Sequence, residues 1–258
     1  MRNYITAFLL FVVLSLTGLL IISAIGKIRD AANRMSCINN LHQVGLAVCN
    51  YRGTMERYPN ATWENANLEP ESRLSWLVTI VPYVESDDLY LRIQLGKSWD
   101  SEENRIIAVM PYRILQCPGY LYPPADTFYS SHYLGISGLQ ADAATLASKD
   151  PHSGFFGYER SLKRQDIVGC ESHLLIALET SHAAGAWTAG GPPTVRGIEM
   201  DFQPYLGSER PFGGNHANVT NALFADASVR SFANSIDSKV IEAAATIQGS
   251  KEIEEFPD

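Results

Sequence analysis

The stretch ITAFLLFVVLSLTGLLIISAIG, residues 5–26, decides the fold. It carries no charge, and its clearly polar side chains, Thr6, Ser15, Thr17 and Ser23, can each return a hydrogen bond to their own helix. At about 1.5 Å of rise per residue the run is about 33 Å long, enough to cross a hydrocarbon core of about 30 Å. Residues 1–26 therefore read as a transmembrane helix, entering the bilayer from Ile5 to Gly26. A cleaved signal peptide is the competing reading. Against it, the apolar run exceeds a usual signal core, and no Ala-x-Ala pattern precedes Lys27. Flanking charge does not fix the orientation, since Arg2 and the terminal amine face Lys27, Arg29 and Arg34 across the span. A translocated domain of this length crosses largely regardless of a few such charges, so the expectation is a single pass with the C-terminal domain outside the cytoplasm.

Beyond Gly26 no helix breaker appears until Gly53, and Ile38, Leu41, Gly45, Val48 and Cys49 recur at helical spacing. The membrane helix is expected to continue as an amphipathic stalk over 27–52, its apolar stripe packed on the rest of the chain. Residues 53–250 then make one soluble domain of ordinary size, followed by a charged, frayed tail over 251–258. Trp76 to Tyr83, leading into Val84-Glu85, reads as a short helix ended by proline. The Gly-, Pro-, Ser- and Tyr-rich chain from Cys117 to about residue 160 reads as long loops between short strands. Strands are expected over 173–179, 221–226 and 228–232, the last two joined by a turn at Asp226-Ala227. Such a turn favours Asp-Gly, so Ala227 implies another turn type or local strain. An amphipathic helix over 238–247 completes an α+β pattern.

Hydrophobic residues make up 46% of the 258 and charged residues 19%, which fits neither a disordered chain nor a multi-span membrane protein. A net charge of -8 without a basic block argues against nucleic acid as a partner. No nucleophile elbow, phosphate-binding glycine loop, His-Glu-x-x-His or dinucleotide fingerprint is present, so no enzyme is expected. Cys37, Cys49, Cys117 and Cys170 are spaced too widely for a Cys-x-x-Cys motif, and in an oxidising compartment they are disulfide candidates. If Cys37 and Cys49 share the stalk they lie about 18 Å apart along it, so each would need Cys117 or Cys170; buried free thiols are the alternative. Glu171, His173, Glu179 and His182 form the best polar constellation, because alternation along a strand puts residues 171, 173 and 179 on one face. A divalent metal or a solvated strand face would each account for it. Tyr120, Tyr122, Tyr129, Tyr133 and Trp187 would make a glycan-stacking surface or the edge of a core.

Several motifs in order carry a resemblance. They are Cys37-Ile38-Asn39-Asn40-Leu41-His42-Gln43-Val44-Gly45-Leu46-Ala47, Asn50-Tyr51, Tyr58-Pro59, Trp76 before Val81-Pro82-Tyr83-Val84-Glu85, and Cys117-Pro118. Glu179 with Trp187 follows, then Asn215-His216 ahead of Leu223-Phe224-Ala225-Asp226-Ala227-Ser228-Val229-Arg230. Over nearly the whole chain this order resembles a large bacterial family with a prepilin-type N-terminus and a domain of unknown function. The resemblance implies a pilin-like fold, in which a long helix, half in the membrane, packs on a small antiparallel sheet, as in pilins and type II secretion pseudopilins. It further implies an inner-membrane envelope protein acting by surface contact with envelope or secretion-system proteins; a glycan-binding module and a metal-dependent envelope hydrolase are the rival expectations. By likeness to pseudopilins, the loop near His216 would hold calcium through Asp226, Asp201 and backbone carbonyls, whereas Asp226 capping its own turn is the simpler role. The chain departs from the family at Asn3-Tyr4-Ile5-Thr6-Ala7, where a Gly-Phe-Thr-Leu-Ile-Glu processing site is usual, and no carboxylate lies in the apolar segment. Processing and filament assembly of the usual kind are therefore not expected. The segments His216-Ala217-Asn218-Val219 and Gly169-Cys170-Glu171-Ser172-His173 depart as well.

Overall fold

The structure is a computed structural model that describes residues 2–84, 87–120, 127–167, 169–182 and 185–256. Glu85 and Tyr122, and the last two residues of the charged tail, lie outside the described residues.

Helix α1 (Arg2–Met55) runs without interruption for 54 residues, about 80 Å. Its two halves meet different surroundings. In the first, Phe8, Leu14, Leu20 and Ile22 are two-thirds or more exposed, with no part of the domain against them. From Cys37 onward the stripe Cys37, Leu41, Val44, Ala47, Val48 and Tyr51 is buried, at the three- and four-residue spacing that one helix face requires. The helix closes at Glu56, whose φ of 57° is left-handed and whose N–H still reaches the Arg52 carbonyl at 2.9 Å.

The domain is built on five strands: β1 (Tyr133–Leu139), β2 (Leu175–Glu179), β3 (Val195–Ile198), β4 (Val219–Phe224) and β5 (Val229–Ala233), in the spatial order β3-β1-β2-β4-β5. The sheet is mixed, which corrects the expectation of a wholly antiparallel one. After β2 the chain crosses over residues 180–194 and adds β3 on the far side of β1, parallel to it. Strand β3 has little signal in the sequence, being four residues long, containing Gly197 and pairing across a register shift.

Two apolar layers enclose the sheet. On one face, Tyr133, Ile176, Ala177 and Leu223 join a core with α1 and the short helix α2 (Trp76–Ile80), which continues into a 3-10 turn over Val81–Tyr83 as the sequence suggested. Helices α3 (Asp87–Tyr90) and α4 (Glu102–Ala108) follow. On the other face, Leu134, Ile136, Leu175, Leu178 and Phe224 pack with α5 (Ser238–Ala245). Central β2 is consequently buried along its length, and its Leu-Ile-Ala-Leu run is that of a strand covered on both faces. This overturns the exposed-strand reading of Glu171, His173 and Glu179: residues 171–173 form a 3-10 turn ahead of the strand. The tail is also less free than expected, because Phe256 is 6% exposed and packs 5.1 Å from Phe224 and 5.4 Å from Phe232.

The β4–β5 turn seats the stalk on the domain. Ala227 takes φ of 68°, the strained geometry anticipated for a non-glycine there, and its carbonyl lies 2.9 Å from His42 Nδ1. Gly45 is required one turn further on, since a Cβ at that position would come 2.7 Å from Leu223 and 2.9 Å from Ala227.

Candidate functional site

Four distant segments converge where α1 leaves the domain surface. Cys37 comes from α1, Cys117 from the chain after the 3-10 turn Arg113–Leu115, Glu179 from the end of β2, and His216 from the loop entering β4. All four are buried, at 0%, 4%, 1% and 7% exposure respectively. His216 Nε2 lies 3.7 Å from Cys117 Sγ and 3.5 Å from Glu179 Oε1. Asn221 holds the carboxylate, its backbone N–H donating to Oε2 at 2.8 Å and its Nδ2 to Oε1 at 2.9 Å. His132 Nδ1 accepts from the Cys117 N–H at 3.0 Å, and Tyr120 stacks on the His132 ring at 4.2 Å.

These contacts set the charges. The hydrogen bond from the Cys37 thiol lowers the Cys117 pKa, with His216 adding to it against the opposing effect of burial. The same bond, with desolvation, raises Cys37. Burial disfavours charge on His216, yet its hydrogen bonds to Cys117 and Glu179 outweigh this and push its pKa up to about 9. Burial takes His132 down to about 4, opposed by Glu179. The site thus couples a thiolate to an imidazolium. It is not arranged as a nucleophilic triad, in which the acid orients the ring through the nitrogen opposite the nucleophile; here Cys117 and Glu179 both approach Nε2.

The other sequence candidates fall elsewhere. Glu171 pairs with Arg52 and Tyr58. His173 meets Phe256 edge-on at 5.5 Å. His182 is exposed, with Nδ1 3.2 Å from Ser181 Oγ. Asp226 Oδ1 accepts from the N–H and hydroxyl of Ser228, the turn-capping role, and Asp201 is exposed on a separate loop. Among the described residues, one group of three or more His, Cys, Asp and Glu side chains has metal-ligating spacing: Cys37, Cys117 and His216. All four cysteines are free thiols, with none at disulfide distance, so the disulfide expectation is not met; Cys49 is half-buried and Cys170 exposed.

Sequence reasoning had Cys37, Cys117-Pro118, Glu179 and Asn215-His216 in hand as separate landmarks without seeing that they are neighbours. The available signal was their common appearance in one ordered series.

A second feature is an aromatic pocket of about 340 Å³ beside the end of α1. Tyr51, Trp63, Tyr83 and Tyr90 line it, and Arg57 and Glu64 pair within its lining at 2.6 Å. Asn60 Oδ1, Thr62 Oγ1 and Thr79 Oγ1, from residues of the same lining, are buried without a hydrogen-bond partner among the described residues. Of the two readings of Tyr120, Tyr129, Tyr133 and Trp187, a stacking surface or the edge of a core, the second is the one the burial supports. Tyr133 and Trp187 are fully buried, and Tyr120 stacks on His132.

Fold and site together define an α+β protein in which a long apolar N-terminal helix seats its second half against a small mixed sheet. Residues 26–199 match the bacterial family described as a protein of unknown function (DUF1559), and the chain belongs to that family. Comparison with curated proteins and with solved structures returns no match.

Proposed function

We infer that this is a single-pass, pilin-like protein of the bacterial inner membrane, with its α+β domain outside the cytoplasm. It works there by surface contact with envelope or secretion-apparatus proteins rather than by turnover. The observation that carries this reading is the division of α1. An unbroken helix presents an exposed first half, uncharged over 5–26, and a buried, amphipathic second half, so the length needing a lipid solvent and the length needing a protein core are joined rigidly. In bacterial membranes the full chain is expected to stay in the pellet through a carbonate wash, with its domain digested by protease added from outside the cytoplasmic membrane. The double variant L14R/L20R, at about 2.5–3.5 kcal/mol per arginine near mid-bilayer, should abolish stable insertion. Release of the wild-type chain by carbonate, or a mature form lacking about its first 26 residues, would sink the anchor.

A second reading is favoured by the aromatic pocket: capture of a cell-surface glycan. Sugar rings present C–H faces that stack on aromatics and hydroxyls that pair with polar side chains at a pocket surface. Tyr51, Trp63, Tyr83 and Tyr90 offer the first and the Arg57–Glu64 pair the second. On a glycan array the wild-type chain should retain a defined oligosaccharide, with at least about a tenfold loss for W63A, equivalent to 1.4 kcal/mol. Absence of binding, or equal binding by W63A, removes this reading.

A further inference from the structure

We propose that Cys37, Cys117 and His216 form a thiolate–imidazole site for one zinc(II) ion, and that this ion fastens α1 to the domain. The sulfurs of Cys37 and Cys117 and a ring nitrogen of His216 all lie within 4.8 Å of one another, and Cys117 Sγ is 3.7 Å from Nε2. A tetrahedral zinc, with bonds of about 2.3 Å to sulfur and about 2.0–2.1 Å to nitrogen, holds such ligand atoms roughly 3.5–3.8 Å apart. The cluster therefore needs little movement to close on a metal.

The ligand set is soft, with two thiols and one imidazole, the combination that selects zinc over the oxygen-seeking calcium and magnesium. With Cys117 a thiolate and His216 an imidazolium, binding takes one proton from the Cys37 thiol and one from the ring nitrogen of His216 that becomes the ligand, so two Zn–S bonds and one Zn–N bond form and two protons are released; no oxidant or reductant is needed. Glu179 lies beside the ring at 3.5 Å, held by Asn221, and supplies negative charge next to the cation without being one of the three clustered ligands. All three ligands are buried, which favours a structural role, and the fourth position of the tetrahedron is left for a water or for Glu179. Cys37 belongs to α1, whereas Cys117 and His216 belong to the domain. The ion would add coordinate bonds across a junction that packing at Gly45 and the His42–Ala227 hydrogen bond otherwise help to hold. This inference stands whether or not α1 crosses a membrane.

The test begins with the full chain extracted in mild detergent, without chelator and with oxygen excluded. Elemental analysis should find about one zinc per chain. The metal should be lost in C37S, C117S and H216A, and kept in C49S and C170S. Since the first three variants could fail to fold, the wild-type chain, stripped by a chelator with its thiols reduced, is also titrated with cobalt(II). A thiolate-to-cobalt charge-transfer band saturating at one equivalent and abolished by zinc(II) supports the site. Zinc-free protein that binds neither metal overturns it. So does a chain two mass units lighter from a Cys37–Cys117 disulfide, since a disulfide leaves no thiolate to ligate.

Discussion

Replacing Arg160 with methionine is expected to lower the stability of the domain by about 3–5 kcal/mol, the range for uncovering a buried charge's partners. Arg160 is 4% exposed, and its guanidinium donates to five backbone carbonyls, those of Ser137, Ala143, Leu146, Gly154 and Phe156. These come from β1 and from the long loop after it. Gly157 makes the approach possible: a Cβ there would come 2.7 Å from the Arg160 side chain. One fork of donors thus replaces the regular pairing this loop lacks. Methionine fills the volume but takes the donor from the carbonyls of Leu146, Gly154 and Phe156, while those of Ser137 and Ala143 keep the N–H groups of Gly154 and Leu146. R160K keeps the charge, but three donors on a compact ammonium cannot span five acceptors, so it should recover roughly half the loss. Denaturant unfolding of the detergent-solubilised full chain, followed by fluorescence of the buried Trp76 and Trp187, measures both variants. A loss below about 1 kcal/mol in R160M would mean that water replaces the guanidinium and that the cage is not a stabilising element.

Substitution of Glu179 should be nearly as costly. E179A strips the acceptors from both Asn221 donors and removes the negative neighbour of His216, all within a region at most 7% exposed. Two orphaned donors at about 1–3 kcal/mol each set the expected loss at about 3–5 kcal/mol. E179Q retains one acceptor but turns an amide toward the other donor, so about half the loss is expected. The pair E179A/N221A discriminates the cause. If the carboxylate acts mainly through Asn221, the double variant should lose less than the sum of the single losses, by 0.5 kcal/mol or more, the coupling seen between residues in contact. Strict additivity would instead assign the effect to His216 and to the Asn221 backbone N–H, which N221A leaves in place.

The long apolar helix and the stalk were legible because their signals are local. An uncharged run sets a length against a bilayer, and apolar positions three and four apart set a helix face, so both survive without knowledge of anything far along the chain. Helix α2, strands β2, β4 and β5, and the strained Ala227 turn were readable for the same reason. Glu171, His173 and Glu179 were misassigned together because period-2 alternation was projected past the start of β2, where the chain forms a turn. Strand β3 was missed because four residues with a glycine carry no period, and its pairing with β1 depends on a crossover.

What the sequence by itself determined is therefore an α+β chain with an apolar helix continuing into a buried stalk, and the family to which its ordered landmarks point. What the tertiary structure decided is which of those landmarks meet. Cys117 and His216, 99 residues apart, become neighbours because the β4–β5 hairpin docks on α1. The aromatic pocket likewise needs the end of α1, the loop after it and α2 with its 3-10 turn to meet, and the Phe256 anchor needs the tail to fold back on β4 and β5. Side-chain periodicity encodes which face of an element is covered, but not by what; that choice is made only when the elements share a core.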